Sequence, residues 1–200
     1  LPFRNITVRD CPESDALIGT VTFIKPVNSL SFESCEWLNN IANNQLGGGA
    51  GLVISSSTAT GIDITFNNCV FNQNSNSIKG GALQFGYTPN TQINQYNFIG
   101  CTFTTNNSPN GGALAIETTA DWSINGCTFE RNVATNNNNG GGGAIFVNAN
   151  PNGQPFAGES LITGSTFNNN QNNPPSNPPK AGSLIYLTAT SSNERSGVIT

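Results

Sequence analysis

Apolar and polar residues alternate in short bursts along this chain, and the bursts recur. Ile62, Ile64 and Phe66 are separated by polar residues, as are Trp122 and Ile124. A period of two marks a strand with one buried face. A second set follows each Gly-Gly-Ala phrase: Leu83 and Phe85, Leu114 and Ile116, Ile145 and Val147, then Leu184 and Tyr186. Gly51 and Val53 hold those places in the first full unit. No window carries a helical period, and the frequent glycines would break one. Each unit therefore predicts about three short strands separated by turns.

The bursts belong to a longer phrase: an apolar residue, a small one three places on, an aromatic two further, and an asparagine three beyond that. It reads Phe32-x-x-Cys35-x-Trp37-x-x-Asn40, then Phe66-x-x-Cys69-x-Phe71-x-x-Asn74 and Phe98-x-x-Cys101-x-Phe103-x-x-Asn106. Two further copies are Ile124-x-x-Cys127-x-Phe129-x-x-Asn132 and Ile162-x-x-Ser165-x-Phe167-x-x-Asn170. Repetition along a whole chain marks a solenoid, in which each unit needs its neighbours to bury its core. The expected fold is all-β, a parallel β-helix of about five to six coils with equivalent strands about 4.8 Å apart.

Like residues then stack on like. Cys35, Cys69, Cys101, Cys127 and Ser165 form an internal ladder of small residues; Trp37, Phe71, Phe103, Phe129 and Phe167 form an aromatic one. Asn40, Asn74, Asn106, Asn132 and Asn170 form a third at a turn. Their amides are expected to bond the backbone of their own turn and the amide of the next coil.

We read residues 1–200 as one solenoid. Residues 1–29 are a degenerate first coil, with Val8-x-x-Cys11 as an imperfect copy; 30–187 hold five repeats, and 188–200 open a further coil. Val198-Ile199-Thr200 repeats Leu161-Ile162-Thr163, so the chain reads as a segment of a longer solenoid. Insertions at residues 136–139, 148–159 and 171–180 fall where loops belong, and such edges are often those that bind something.

Composition narrows the function. Charged residues are 9% of the chain, against about 25% in an ordinary soluble domain. There are 33 asparagines, and asparagine with glycine tolerates positive φ at low cost, so turns are many. A net charge of −4 without a basic patch argues against nucleic acid. No stretch approaches the roughly 20 apolar residues of a membrane helix.

The alternating phrases carry a resemblance. Phe71-Asn-Gln-Asn74, Phe103-Thr-Thr-Asn106, Phe129-Glu-Arg-Asn132 and Phe167-Asn-Asn-Asn170 are of the Phe-x-x-Asn type. They alternate with Gly80-Gly81-Ala82-Leu83, Gly111-Gly112-Ala113-Leu114 and Gly142-Gly143-Ala144-Ile145. From about Phe32 to Leu187 this resembles the repeats of the chlamydial polymorphic outer membrane proteins, which also occur in predicted surface proteins of other organisms. The resemblance implies a right-handed β-helix exposed at a cell surface, with adhesion as its usual role. Trp37 in place of Phe, and Ala181-Gly182-Ser183-Leu184 in place of Gly-Gly-Ala-Leu, depart from the pattern.

Reactive chemistry is sparse. Four cysteines share one phase of the repeat and serine takes the fifth copy, so the position asks for a small buried side chain and the thiols are expected free, with Cys11 the exception. There is no histidine and no Cys-x-x-Cys pair to hold zinc. The Gly-Gly phrases lead into apolar residues and not into the aspartates of a calcium-binding solenoid. A polysaccharide lyase or hydrolase would need paired carboxylates. The nearest are Asp10, Glu13 and Asp15, or Glu117 and Asp121, both without an obvious Lys or Arg partner and read as solvated; Glu130-Arg131 reads as an exposed charge pair. Unequal repeat lengths argue against the flat threonine face of an ice binder. Asn5-Ile6-Thr7 is an N-glycosylation sequon; Asn106-Asn107-Ser108 is one formally, with Asn106 expected inward and Pro109 following.

The expected function is a non-enzymatic extracellular structural or adhesive β-helix: a cell-surface stalk, filament subunit or adhesin passenger without cofactor. Its partners would be itself or further repeats end to end, and a host-cell or glycan ligand through the loops. The alternative is a polysaccharide-binding or polysaccharide-degrading β-helix of the pectate-lyase-like type.

Overall fold

The computed structural model of the protein describes residues 2–11, 20–23, 29–42, 53–56, 62–85, 93–117, 121–135, 141–148, 160–172, 184–188 and 197–199. Among them every regular element is a strand. Among the described residues no helix is long and apolar enough to cross a membrane. Strands pair in parallel throughout.

Pro2–Arg4, Ser29–Glu33, Ile62–Asn67, Ile93–Ile99, Asp121–Asn125, Ser160–Thr163 and Gly197–Ile199 lie side by side in that order as a seven-stranded sheet. Thr7–Arg9, Glu36–Leu38, Val70–Asn72, Thr102–Thr104, Thr128–Glu130 and Thr166–Asn168 form a six-stranded sheet. A five-stranded sheet is built from Ile41–Ala42, Ser75–Asn76, Asn107–Ser108, Val133–Ala134 and Gln171–Asn172. Leu83–Phe85, Leu114–Ile116, Ile145–Asn148 and Ile185–Thr188 make a four-stranded one. Thr20–Phe23 pairs with Val53–Ser56 alone, so among the described residues the first full unit does not join the Leu83–Phe85 sheet. Each strand thus pairs with its counterparts in the neighbouring repeats and never with the next strand in sequence. This all-β parallel arrangement is compatible with a solenoid.

The middle repeats contribute four strands, one more than the apolar pattern predicts. The additional strands, such as Asn107–Ser108, are two residues long and mostly polar, so they carry no alternation to read. Two sharp bends separate the first three strands of each repeat. The residue before the Cys corner has positive φ at Ser34, Asn68, Gly100, Gly126 and Gly164, and the residue before the Asn corner at Asn39, Gln73, Thr105, Arg131 and Asn169. Both bends are held across repeats by their backbone N–H groups, as in Asn68 N to Ile99 O at 2.8 Å and Gln73 N to Thr104 O at 3.0 Å.

The Gly-Gly-Ala phrase is explained by proximity. Gly111 has φ of 66°, and a Cβ there would strike the Leu114 carbonyl. A Cβ at Gly112 would strike the Gly143 carbonyl of the next repeat and the Val133 backbone. Ala82, Ala113 and Ala144 are fully buried. The strands that follow are buried on both faces, Leu83–Phe85, Leu114–Ile116 and the first three residues of Ile145–Asn148 alike, and not on one face as the alternation suggested.

Register corrects the sequence reading at both ends. Ile145 lies opposite Ile185, not Leu184. Leu184 O accepts from Ala144 N at 3.0 Å, as Ala144 O accepts from Ala113 N at 2.9 Å, so Leu184 takes the alanine place and is exposed. At the other end Phe3 pairs with Phe32 and Val8 with Trp37. The first copy is therefore Phe3-x-x-Ile6-x-Val8-x-x-Cys11, and Cys11 stands in the asparagine phase, not the cysteine phase. The insertions at 136–139 and 149–159, and 173–180 of the last, lie outside the described residues.

Thr105 is a β-branched residue at φ of 55°, where the left-handed conformation costs about 1–2 kcal/mol and asparagine is tolerated far better. Its side chain is exposed. Thr105→Asn is expected to stabilise the chain by about 1 kcal/mol, a rise of about 2–4 °C in Tm by calorimetry. No change, or a loss, would show that the hydroxyl or methyl is needed at this bend.

Candidate functional site

Two arrangements concentrate polar groups in the interior. The first is the asparagine corner. Asn40, Asn74, Asn106 and Asn132 are 0% exposed, and Asn170, at the end of the column, is half-buried. Asn74 Oδ1 accepts from both Asn40 N at 3.1 Å and Asn40 Nδ2 at 3.0 Å. The pattern recurs from Asn74 to Asn106, from Asn106 to Asn132 and from Asn132 to Asn170. The second hydrogen of each Nδ2 goes to a carbonyl of the preceding repeat: Asn40 to Val8, Asn74 to Trp37, Asn106 to Phe71, Asn132 to Phe103 and Asn170 to Phe129. The amide therefore bonds the strand of the previous repeat and not the backbone of its own turn. Every side-chain polar group in the column interior is satisfied, which a buried amide requires.

The cysteine corner is simpler. Cys35, Cys69, Cys101 and Cys127 are buried and all five cysteines are free; Cys11 and Ser165 are half-buried. Each buried thiol donates along its own bend, and three also reach the preceding repeat, as in Cys69 Sγ to Phe32 O at 3.3 Å. Ser165 Oγ substitutes by accepting from Cys127 N at 3.1 Å and donating to Thr163 O at 3.0 Å. Burial pushes the Cys35 thiol up. The bonded thiols of Cys127 and Cys69, together with burial, push Cys101 up. The bonded thiol of Cys101 pushes Cys69 and Cys127 down, so the neutral, unreactive form belongs to Cys35 and Cys101.

The aromatic column stacks at the strand spacing. Ring centroids are 4.8 Å apart for Trp37–Phe71, 4.9 Å for Phe71–Phe103, 4.7 Å for Phe103–Phe129 and 4.8 Å for Phe129–Phe167. A second column, Phe3, Phe32, Phe66 and Phe98, stacks beside it at 5.2, 5.0 and 5.1 Å. Within a repeat the two rings meet edge to face, as Phe66 and Phe71 do at 5.9 Å and 68°. The signal for the second column was the apolar residue that opens each phrase.

The second arrangement is a buried, bridged carboxylate next to the four-stranded sheet. Glu117 is 8% exposed, and its carboxylate is not solvated as the sequence suggested. Lys79 Nζ pairs with Glu117 Oε1 at 2.5 Å and lies 5.8 Å from the Phe146 ring centroid. Asn148 Nδ2 donates to the same oxygen at 3.4 Å and Gln84 Nε2 to Oε2 at 3.1 Å. Residues of three successive repeats thus meet on one carboxylate. Gln84 Oε1 is buried without a partner. Sequence spacing could not find Lys79, 38 residues from Glu117. Asp121 is half-buried at the start of its strand, opposite Gln95. Asp10 is exposed with Arg9 at 3.7 Å and accepts from Asn39 Nδ2, so it too has a cationic partner; Glu13 and Asp15 lie outside the described residues. Arg131 pairs with Glu130 at 2.6 Å. Asn5 is exposed at a positive-φ bend, whereas Asn106 of the second sequon is fully engaged.

Comparison with known proteins finds no family model, no characterised relative and no solved structure that matches this chain.

Asn106→Leu would orphan the buried Asn74 N–H and Phe71 carbonyl and remove a donor from Asn132. At about 1–3 kcal/mol for each orphaned group, a loss of about 4 kcal/mol is expected in urea unfolding. Asn170→Leu breaks the equivalent bonds to Asn132 and Phe129 at the half-buried end of the column and should cost less. An unchanged midpoint in Asn106→Leu would contradict the column.

Proposed function

We propose that residues 1–200 form a single right-handed parallel β-helix, one repeat per coil, that serves as a non-enzymatic extracellular structural or adhesive module. A stalk, a filament subunit and an adhesin passenger all use the same property, a stiff stack whose length is set by the number of coils. The observation that carries the reading is the asparagine column. Repeats 34, 32, 26 and 38 residues apart in sequence make the same amide contacts, so the coil is constant and insertions are left to loops. The resemblance to chlamydial surface repeats supports a place outside the cell. The ligand-binding share of the function falls to the insertions in the sequence at 148–159 and 171–180.

The bridged carboxylate favours a structural role over a catalytic one. A general acid or base needs an oxygen open to substrate, and both oxygens of Glu117 already hold donors from the protein.

Excising one coil tests the reading. Gln95 and Asp121 occupy the same register, so deleting residues 95–120 removes 26 residues, the spacing from Asn106 to Asn132, without changing phase. The shortened chain is expected to keep its β circular dichroism and unfold cooperatively at a lower midpoint, as a nearest-neighbour stack does. An unfolded product would contradict the stacked coil. Release of unsaturated sugars from pectin, followed by ultraviolet absorbance and lost in Glu117→Gln, would contradict the non-enzymatic role.

A further inference from the structure

An amine and two amide side chains meet on one carboxylate. Lys79 Nζ lies 2.5 Å from Glu117 Oε1, and Asn148 Nδ2 donates to the same oxygen at 3.4 Å. Gln84 Nε2 holds the other oxygen at 3.1 Å. The setting is closed. Glu117 is 8% exposed, and the Phe146 ring beneath the ammonium is buried.

Backbone pairing fixes the arrangement. Glu117 N donates to Phe85 O at 2.7 Å, and Val147, the neighbour of Asn148, lies opposite Ile116. Lys79 lies just before Leu83–Phe85, which pairs with Leu114–Ile116. Amine and amide therefore come from the repeats on either side of the carboxylate. For stability alone a buried ion pair gains little, because desolvation offsets the attraction. As a set of reactants the cluster is complete: a nucleophile, an amide carbon and a proton carrier held together by the fold.

We propose that Lys79 and Asn148 join in an intramolecular isopeptide bond, with Glu117 as the proton carrier. Nζ passes a proton to Oε1, and the neutral amine attacks Cγ of Asn148, forming the new C–N bond. Glu117 hands its proton to Nδ2 as the Cγ–Nδ2 bond breaks. Nζ keeps one hydrogen, and the two it loses leave on Nδ2 as ammonium. No oxidant or other reactant is needed. Oε1 suits the transfer because it touches both nitrogens, whereas Gln84 binds through Oε2 and holds the carboxylate in place. Glu117 acts only on the chain's own side chains, so its closed position is no obstacle. The bond ties the repeat before Glu117 covalently to the repeat after it. It goes beyond the extracellular-module reading and stands on the side-chain cluster alone.

The test is the intact mass of the purified whole chain under denaturing conditions, followed by a tryptic map. The chain is expected to be lighter than its sequence by one ammonia. Trypsin is expected to miss Lys79 and to release residues 10–131 joined to residues 132–180 through Asn148. Lys79→Arg keeps the charge and Glu117→Gln keeps the shape, and both are expected at full sequence mass. Lys79→Arg is also expected to lower Tm by about 10 °C through loss of the cross-link. A wild-type chain at full sequence mass would overturn the proposal, whether or not the variants fold. So would ammonia lost as a succinimide at an Asn-Gly pair, which leaves residues 132–180 separate. A branch at Gln84, which leaves them separate too, would overturn the assignment to Asn148.

Discussion

The structure depends on a side chain that can accept twice and donate twice in the same direction at every repeat. Asparagine does this at the second corner. Its oxygen takes a backbone and a side-chain N–H from the repeat before, and its nitrogen gives one hydrogen back to that repeat and one to the repeat after. Its own carbonyl accepts from the following repeat, as Asn74 O does from Asn107 N at 3.0 Å. Aspartate lacks the donors, serine has only one, and glutamine carries the amide a methylene too far. The bend also opens backbone groups that no water reaches, so the amide replaces solvent in a place where an unmet group costs about 1–3 kcal/mol.

The other columns are more permissive because their chemistry is less directional. The cysteine corner asks for a small side chain with one weak donor, and Ser165 does the same with better hydrogen bonds. The aromatic column accepts tryptophan for phenylalanine since either ring covers the one below at the strand spacing, a pair worth about 0.5–1.5 kcal/mol beyond its burial. Stacked rings, thiols and amides all repeat at the same distance, set by backbone hydrogen bonds between parallel strands. Sequence length between them is free, and the bridge from Lys79, Gln84 and Asn148 to Glu117 ties the four-stranded sheet across three repeats.

How much of this was legible follows from which constraints are local. Strands such as Ile62–Asn67 announce themselves by period two, and the columns by recurrence of one residue type in one phase. The register at the ends did not. Leu184, Ile185, Tyr186 and Leu187 are all apolar, so nothing in their order says which one follows the alanine place. Val8-x-x-Cys11 misled because both corners share one local form, an apolar residue, two spacers with positive φ at the second, and a small inward residue. Only pairing with Trp37 distinguishes them. The partners of Glu117 were invisible for a different reason. They come from the repeats on either side of its own, and their meeting depends on segment lengths that no residue pattern encodes.

The central claim is that the asparagine column, and not the aromatic packing alone, holds successive repeats together. Amide hydrogen exchange measured residue by residue tests it most directly, because the backbone N–H groups of Asn40, Asn74, Asn106 and Asn132 donate to side-chain oxygens of the next repeat. The account predicts that these amides exchange as slowly as those of the central strands Ile93–Ile99 and Thr102–Thr104, opening only with global unfolding. Fast exchange at these corners, with the flanking strands still protected, would contradict it.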